Sequence, residues 1–120
     1  MTLAIILGFI VIHWIADFWL QTQEMATGKG KSIKWLTLHA LEYSVVLFLC
    51  GFWYSTGNPF LAVWFTLING SCHWLTDFCT SRIMKKLWAA KKERAFFMML
   101  GIDQLIHYIT LFITYKIIYG

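Results

Sequence analysis

Four apolar runs divide this chain, at residues 2–20, 36–55, 59–80 and 95–118. Each is about 20 residues long, enough to cross about 30 Å of hydrocarbon at about 1.5 Å per residue. Backbone groups in lipid must be satisfied within their own segment, so the runs are expected to be helices. The composition agrees: 59% of the 120 residues are hydrophobic and only 13% charged, where soluble domains carry about 25% charged residues. The expected fold is all-α, a four-helix transmembrane bundle forming one integral membrane domain over residues 1–120. The first run has no basic leader and no small-residue cleavage signal, so it reads as retained.

The connections orient this bundle. "TQEMATGKGKSIKW" reads as a flexible Gly-Lys-Gly loop. "STGNPF" reads as a tight turn, with Pro59 in the first turn of the next helix. "SRIMKKLWAAKKERA" puts Ile83, Met84, Leu87 and Trp88 on one face and lysines on the other, a basic amphipathic stretch suited to the headgroup layer. Nine of the ten basic residues lie in the first and third connections: Lys29, Lys31, Lys34, Arg82, Lys85, Lys86, Lys91, Lys92 and Arg94. The positive-inside rule then places both loops in the cytoplasm and both termini outside, as in a bacterial inner-membrane protein. The formal charge of +4 reports topology and anionic lipid, the expected partner, rather than nucleic acid, for which no reading motif is present. Assembly into a homo-oligomer is left open. The three cysteines, Cys50, Cys72 and Cys79, have no CxxC spacing and read as apolar thiols.

Every apolar run also carries an acid and a histidine. "HWIADF" at 13–18 and "HWLTDF" at 73–78 each hold a His–Asp pair four residues apart, and Asp103 and His107 repeat that spacing in reverse. His39 and Glu42 stand three apart, with Tyr43 next. Pairs at i, i+4 share a helix face, so each helix offers one polar stripe, which a bundle turns inward. Three aspartates at helix centres would cost roughly 9 kcal/mol on insertion scales, which requires compensation. Counted from the basic loops, Asp17, His39 and Asp77 lie roughly 6–7 Å deep, His13, His73 and Asp103 roughly 12–14 Å, and His107 roughly 20 Å. Overlaying "LHALEYSVVLF" on "IDQLIHYITLF" aligns His39 with Asp103 and Tyr43 with His107. The chain thus reads as two helical hairpins related by a pseudo-two-fold axis along the membrane normal.

A purely structural polar core explains one such pair, but four histidines and three aspartates in one layer have the donor chemistry of a metal site. The expected ligands are His13, Asp17, His39, His73, Asp77, Asp103 and His107. Seven ligands suit one or two divalent ions of Zn, Mn, Fe, Co or Ni, with aspartates bridging. Bis-histidine haem uses the histidines and strands the aspartates beside it. A proton or ion pathway is a third use of acid–histidine chains.

The pattern His13, Asp17, Phe18 and Gln21, a lysine-bearing loop and His39, then His73, Asp77 and Ser81-Arg82, then Asp103-Gln104 and His107, resembles DUF3307. This is a family of small bacterial and phage membrane proteins of unknown function, and the likeness runs nearly end to end. More loosely, the His/Asp helices are similar to LexA-regulated membrane-bound metal-dependent hydrolases, which implies hydrolysis. The leading expectation is a metal-dependent hydrolase acting on a lipid phosphate or other amphiphile at the cytoplasmic leaflet. Metal-activated water would attack, Glu42 or a free aspartate would act as base, and Arg82, Lys85 and Lys86 would bind the headgroup. The alternative is a non-enzymatic membrane protein, an ion or proton pathway or a phage-type host-interaction protein, with a structural metal or polar core.

Overall fold

The computed structural model describes residues 2–120. It is all-helical, with no strand among the described residues. Helix α1 (Leu3–Trp14) passes without a break into a π-helical turn (Ile15–Trp19), followed by the short α2 (Gln23–Gly28), then α3 (Ile33–Tyr54), α4 (Pro59–Ala89) and α5 (Glu93–Tyr119). Two of these, α3 and α5, are long and apolar enough to cross a membrane, and Leu3–Trp19 is a shorter apolar helix.

Local chemistry sets the boundaries. Thr2, Thr22, Ser32 and Asn58 each accept a backbone N–H of the following helix, as N-cap side chains do. Pro59 sits in the first turn of α4 as expected. The turn before it passes through Thr56 and Gly57 at positive φ, where glycine at 57 carries no Cβ penalty.

Two expectations for the connections change. The first connection is not a flexible loop: Thr22 caps α2 inside it, and its glycines allow close contact. A Cβ at Gly28 would meet Trp35 at 2.6 Å, and one at Gly30 would meet the Ser81 carbonyl at 3.0 Å. The basic amphipathic stretch is not a separate surface segment, because α4 continues through it to Ala89. At about 1.5 Å per residue, its 31 residues account for the 47 Å long axis of the molecule.

Helix α4 packs along both α3 and α5, and the π turn packs on α3. The core has two parts. Away from the first connection, Phe9, Leu47, Phe65 and Leu111 form an apolar cluster with Tyr54, Tyr115 and Tyr119 around it. Nearer that connection the buried residues are His13, Asp17, His39, His73, Asp77, Asp103 and His107, each at most 4% exposed. Cys50 is buried and Cys79 exposed, and all three thiols are free.

Candidate metal centre

The helices bring all seven expected ligands into one buried cluster, and its centre is four-sided. His39 Nε2 lies 2.9 Å from Asp17 Oδ1 and 3.4 Å from Asp77 Oδ2. His73 Nε2 lies 3.6 Å from Asp17 Oδ1 and 3.4 Å from Asp77 Oδ2. The two Nε2 atoms are 3.0 Å apart. Four ligands around an ion at about 2.0–2.1 Å in tetrahedral geometry stand about 3.3–3.4 Å from one another. These five separations scatter about that value, so the four atoms fit one divalent ion.

Proton counting points the same way. Two Nε2 atoms at 3.0 Å share at most one proton, yet each also faces two carboxylates. With an ion at the centre the Nδ1 atoms would carry the protons, and Nδ1 of both His39 and His73 is buried without a hydrogen-bond partner among the described residues, so both lack the outer acceptor usual for metal-bound histidines. A cation at the centre satisfies both lone pairs and both carboxylates together.

The second oxygens of the same aspartates face a second group. Asp77 Oδ1 is 3.1 Å from His107 Nε2, which is 3.3 Å from Asp103 Oδ2. The Gln104 amide donates to Asp17 Oδ2 and Asp103 Oδ2, both at 3.0 Å. Thr80 donates to Asp103 Oδ1 at 2.5 Å. Asp17, Asp103 and His107 thus form a second set able to hold an ion. Asp17 and Asp77 stand between the two sets in the bridging position.

Asp17 reaches this place through the π turn. The Leu20 N–H bonds to the Ile15 carbonyl at 2.9 Å, five residues back. The π turn holds Asp17 within it, a distortion common at functional sites, and the His13–Asp17 contact at i, i+4 is kept. His13, on the regular helix before it, is held differently. Its Nδ1 is 3.0 Å from the Tyr43 hydroxyl and its Nε2 is 2.8 Å from Gln104 Oε1. Both nitrogens are engaged outside the two ligand sets, with Asp17 Oδ2 at 3.4 Å. Tyr43 also stacks on His73, with ring centroids 3.8 Å apart.

The remaining expected residues separate. Glu42 is not brought to the cluster, and both its carboxylate oxygens are buried without a hydrogen-bond partner among the described residues. Arg82 donates to the Phe78 carbonyl and lies 3.9 Å over the Phe78 ring. Lys85 lines a cavity of about 480 Å³ that opens onto Asp17, Asp77 and Asp103, whereas Arg82 and Lys86 are not among its walls.

Sequence reasoning missed Lys29 and Thr80, and used Gln104 only as part of a family pattern. Lys29 Nζ is 3.3 Å from Asp77 Oδ2. Burial pushes its ammonium toward a lower pKa, but the Asp77, Asp17 and Asp103 carboxylates outweigh that and hold it above the usual lysine value. Thr80 stands three residues after Asp77 on the same face, a spacing that could have found it.

The family whose model matches residues 5–120 is described as "Protein of unknown function (DUF3307)". No curated protein and no solved structure matches the chain. The chain belongs to the DUF3307 family.

Proposed function

We propose that this protein is a membrane-embedded metal-dependent hydrolase acting on a phosphate ester of an amphiphile. The observation that carries this reading is the convergence of His39, His73, Asp17 and Asp77 on one centre at tetrahedral spacing. Asp103 and His107, with the outer oxygens of Asp17 and Asp77, supply a second position. One or two ions of the Zn, Mn, Fe, Co or Ni group would supply Lewis acidity and lower the pKa of coordinated water toward about 7. The chain's residues do the rest. Asp17 and Asp77 hold the two positions together, Gln104 clamps two of the carboxylates, and Tyr43 orients His13. With one ion bound at the first position, Asp103 would be the free aspartate that acts as base, because it borders the cavity and Glu42 does not reach the cluster. In hydrolysis the water oxygen bonds to phosphorus as the ester P–O bond breaks, and the water's proton passes by way of the base to the leaving oxygen.

The same reading sets the chain in the bacterial inner membrane as a four-crossing bundle, both termini outside and both basic connections cytoplasmic. Its support is an inverted polarity. Leu3, Trp53, Phe60 and Ile117 are 67–81% exposed, while the aspartates and histidines are buried. Large exposed apolar surfaces of this kind need a non-aqueous partner. The paired hexapeptides on α1 with its π turn and on α4 support the pseudo-two-fold hairpin arrangement. Lys31→Cys in a cysteine-free background should be labelled only from the cytoplasmic side, and labelling from outside reverses the topology.

The decisive assay is phosphate release from alkyl and prenyl phosphates in detergent, with Zn²⁺ or Mn²⁺. Activity that depends on metal and vanishes in His73→Ala supports the proposal. A metal-loaded protein inert across phosphates and acyl esters contradicts it. That result favours a proton or ion pathway, to which the continuous contacts from His13 through Gln104, Asp17, His39, His73 and Asp77 to His107 lend support.

A further inference from the structure

The cavity beside the cluster has two kinds of wall. Its polar lining includes Asp17, Asp77 and Asp103 together with Lys29 and Lys85. Its outer part is apolar, lined by Trp88, Phe96, Phe97 and Leu100 from the end of α4 and the start of α5. About 480 Å³ falls within the roughly 300–1,000 Å³ of small-ligand sites. An apolar approach ending in cations and carboxylates suits a molecule with a chain and an anionic head. A free anion would have no use for the aromatic wall, and with a divalent ion neutralising the aspartates a cationic head would meet two lysines.

Lys29 is placed for an exchange. Its ammonium shares Asp77 Oδ2 with the Nε2 atoms of His39 and His73. A divalent ion among those atoms would take over that oxygen and repel the ammonium. The Lys29 backbone is fixed, because the Ser81 hydroxyl lies 3.3 Å from its carbonyl and Gly30 packs on the Ser81 backbone. The movement is therefore left to the side chain, a flexible four-carbon stem ending in a compact charge. The open volume into which it can turn is this cavity.

We infer that the cavity binds the head and first carbons of an amphiphile ending in a phosphate monoester, and that Lys29 is the residue that grips the phosphate. Lys85 supplies the second positive charge, while Arg82 remains on Phe78. The inference deepens the metal-hydrolase reading and rests on it, because the ion is what would free Lys29 from Asp77.

Dodecylphosphonate, which cannot be hydrolysed at its P–C bond, is the probe. Its binding to the full chain in non-ionic detergent is measured by calorimetry after zinc loading, with zinc content and the thermal melt read on the same samples. Saturable binding is expected, with inorganic phosphate binding more weakly and dodecanol not saturating. Lys29→Met should weaken dodecylphosphonate binding about tenfold or more, the effect of losing a hydrogen bond to a charged group. Leu100→Trp, which fills the apolar wall, should weaken it with zinc content unchanged. Unchanged affinity in a folded Lys29→Met protein overturns the role of Lys29. Unchanged affinity in Leu100→Trp, or inorganic phosphate binding as tightly as dodecylphosphonate, overturns the cavity assignment. Bound zinc without dodecylphosphonate binding defeats this inference alone. Bound zinc and bound dodecylphosphonate with no phosphate release from alkyl phosphates defeat the hydrolase reading alone. Dodecylphosphonate binding of equal strength without zinc overturns the exchange at Lys29.

Discussion

Residues 13–18 and 73–78 carry nearly the same hexapeptide, yet the two copies do different work. In α4 the His73–Asp77 pair sits on regular helix, and both side chains point at the shared centre, 3.4 Å apart. In the first copy the pair is also 3.4 Å apart, with Asp17 in the π turn and the remaining contacts of its histidine directed elsewhere. Asp17 is carried to the centre, 2.9 Å from His39, while His13 stays behind, held by Tyr43 and Gln104. Near-identical sequence therefore places His73 in the candidate ligand set and His13 against Tyr43 and Gln104. The neighbours each histidine meets, not residue type or spacing, separate them.

The sharpest way to break this comparison is to remove each histidine in turn. His73→Ala deletes one corner of the tetrahedral set and should lower zinc affinity by more than about 100-fold, beyond the range usual for an outer partner. His13→Ala removes an outer partner, for which losses of about 10–100-fold are usual. Isothermal titration against a zinc chelator measures both, and equal losses would contradict the assignment. The aspartates show the opposite pattern. Asp17→Asn and Asp77→Asn should lower bound metal and thermal stability alike, because each carboxylate serves both positions. A large difference between them would contradict the bridging roles.

A smaller effect is expected at Tyr43. Tyr43→Phe keeps the ring stacked on His73 and removes only the hydroxyl at His13. It should cost about 0.5–1.5 kcal/mol, or up to roughly tenfold in metal affinity. A loss as large as that of His73→Ala would make Tyr43 part of the ligand set. The smallest effect belongs to Glu42. Glu42→Gln alters a carboxylate outside both ligand sets and their hydrogen-bonded partners, so zinc affinity should stay within roughly twofold. A larger change, read by the same titration, would return Glu42 to the site.

Much of this was legible in the residues. Apolar runs of helical length carried the all-α fold, and the i, i+4 spacing of Asp and His carried the convergence of six of the seven side chains, His39 being the seventh. What escaped were features that spacing does not encode. The π turn at Ile15–Trp19 leaves no mark in the composition, and spacing does not show that Tyr43 and Gln104 engage both nitrogens of His13. Lys29 reads as a topological charge, because only the close approach of Gly30 to Ser81 brings it to Asp77. Arg82 and Lys86 share a basic run with Lys85, but α4 continues through that run, so its helical faces decide which residue meets the cavity. Glu42 follows His39 by three residues, and that small angular difference leaves it outside the cluster.

X-ray absorption at the zinc edge of the loaded protein tests the central claim most directly. The account predicts a shell of nitrogen and oxygen ligands at about 2.0–2.1 Å, with an imidazole signature that weakens in His73→Ala and persists in His13→Ala. A protein that binds no zinc, or whose zinc shell is unchanged in His73→Ala, would contradict it.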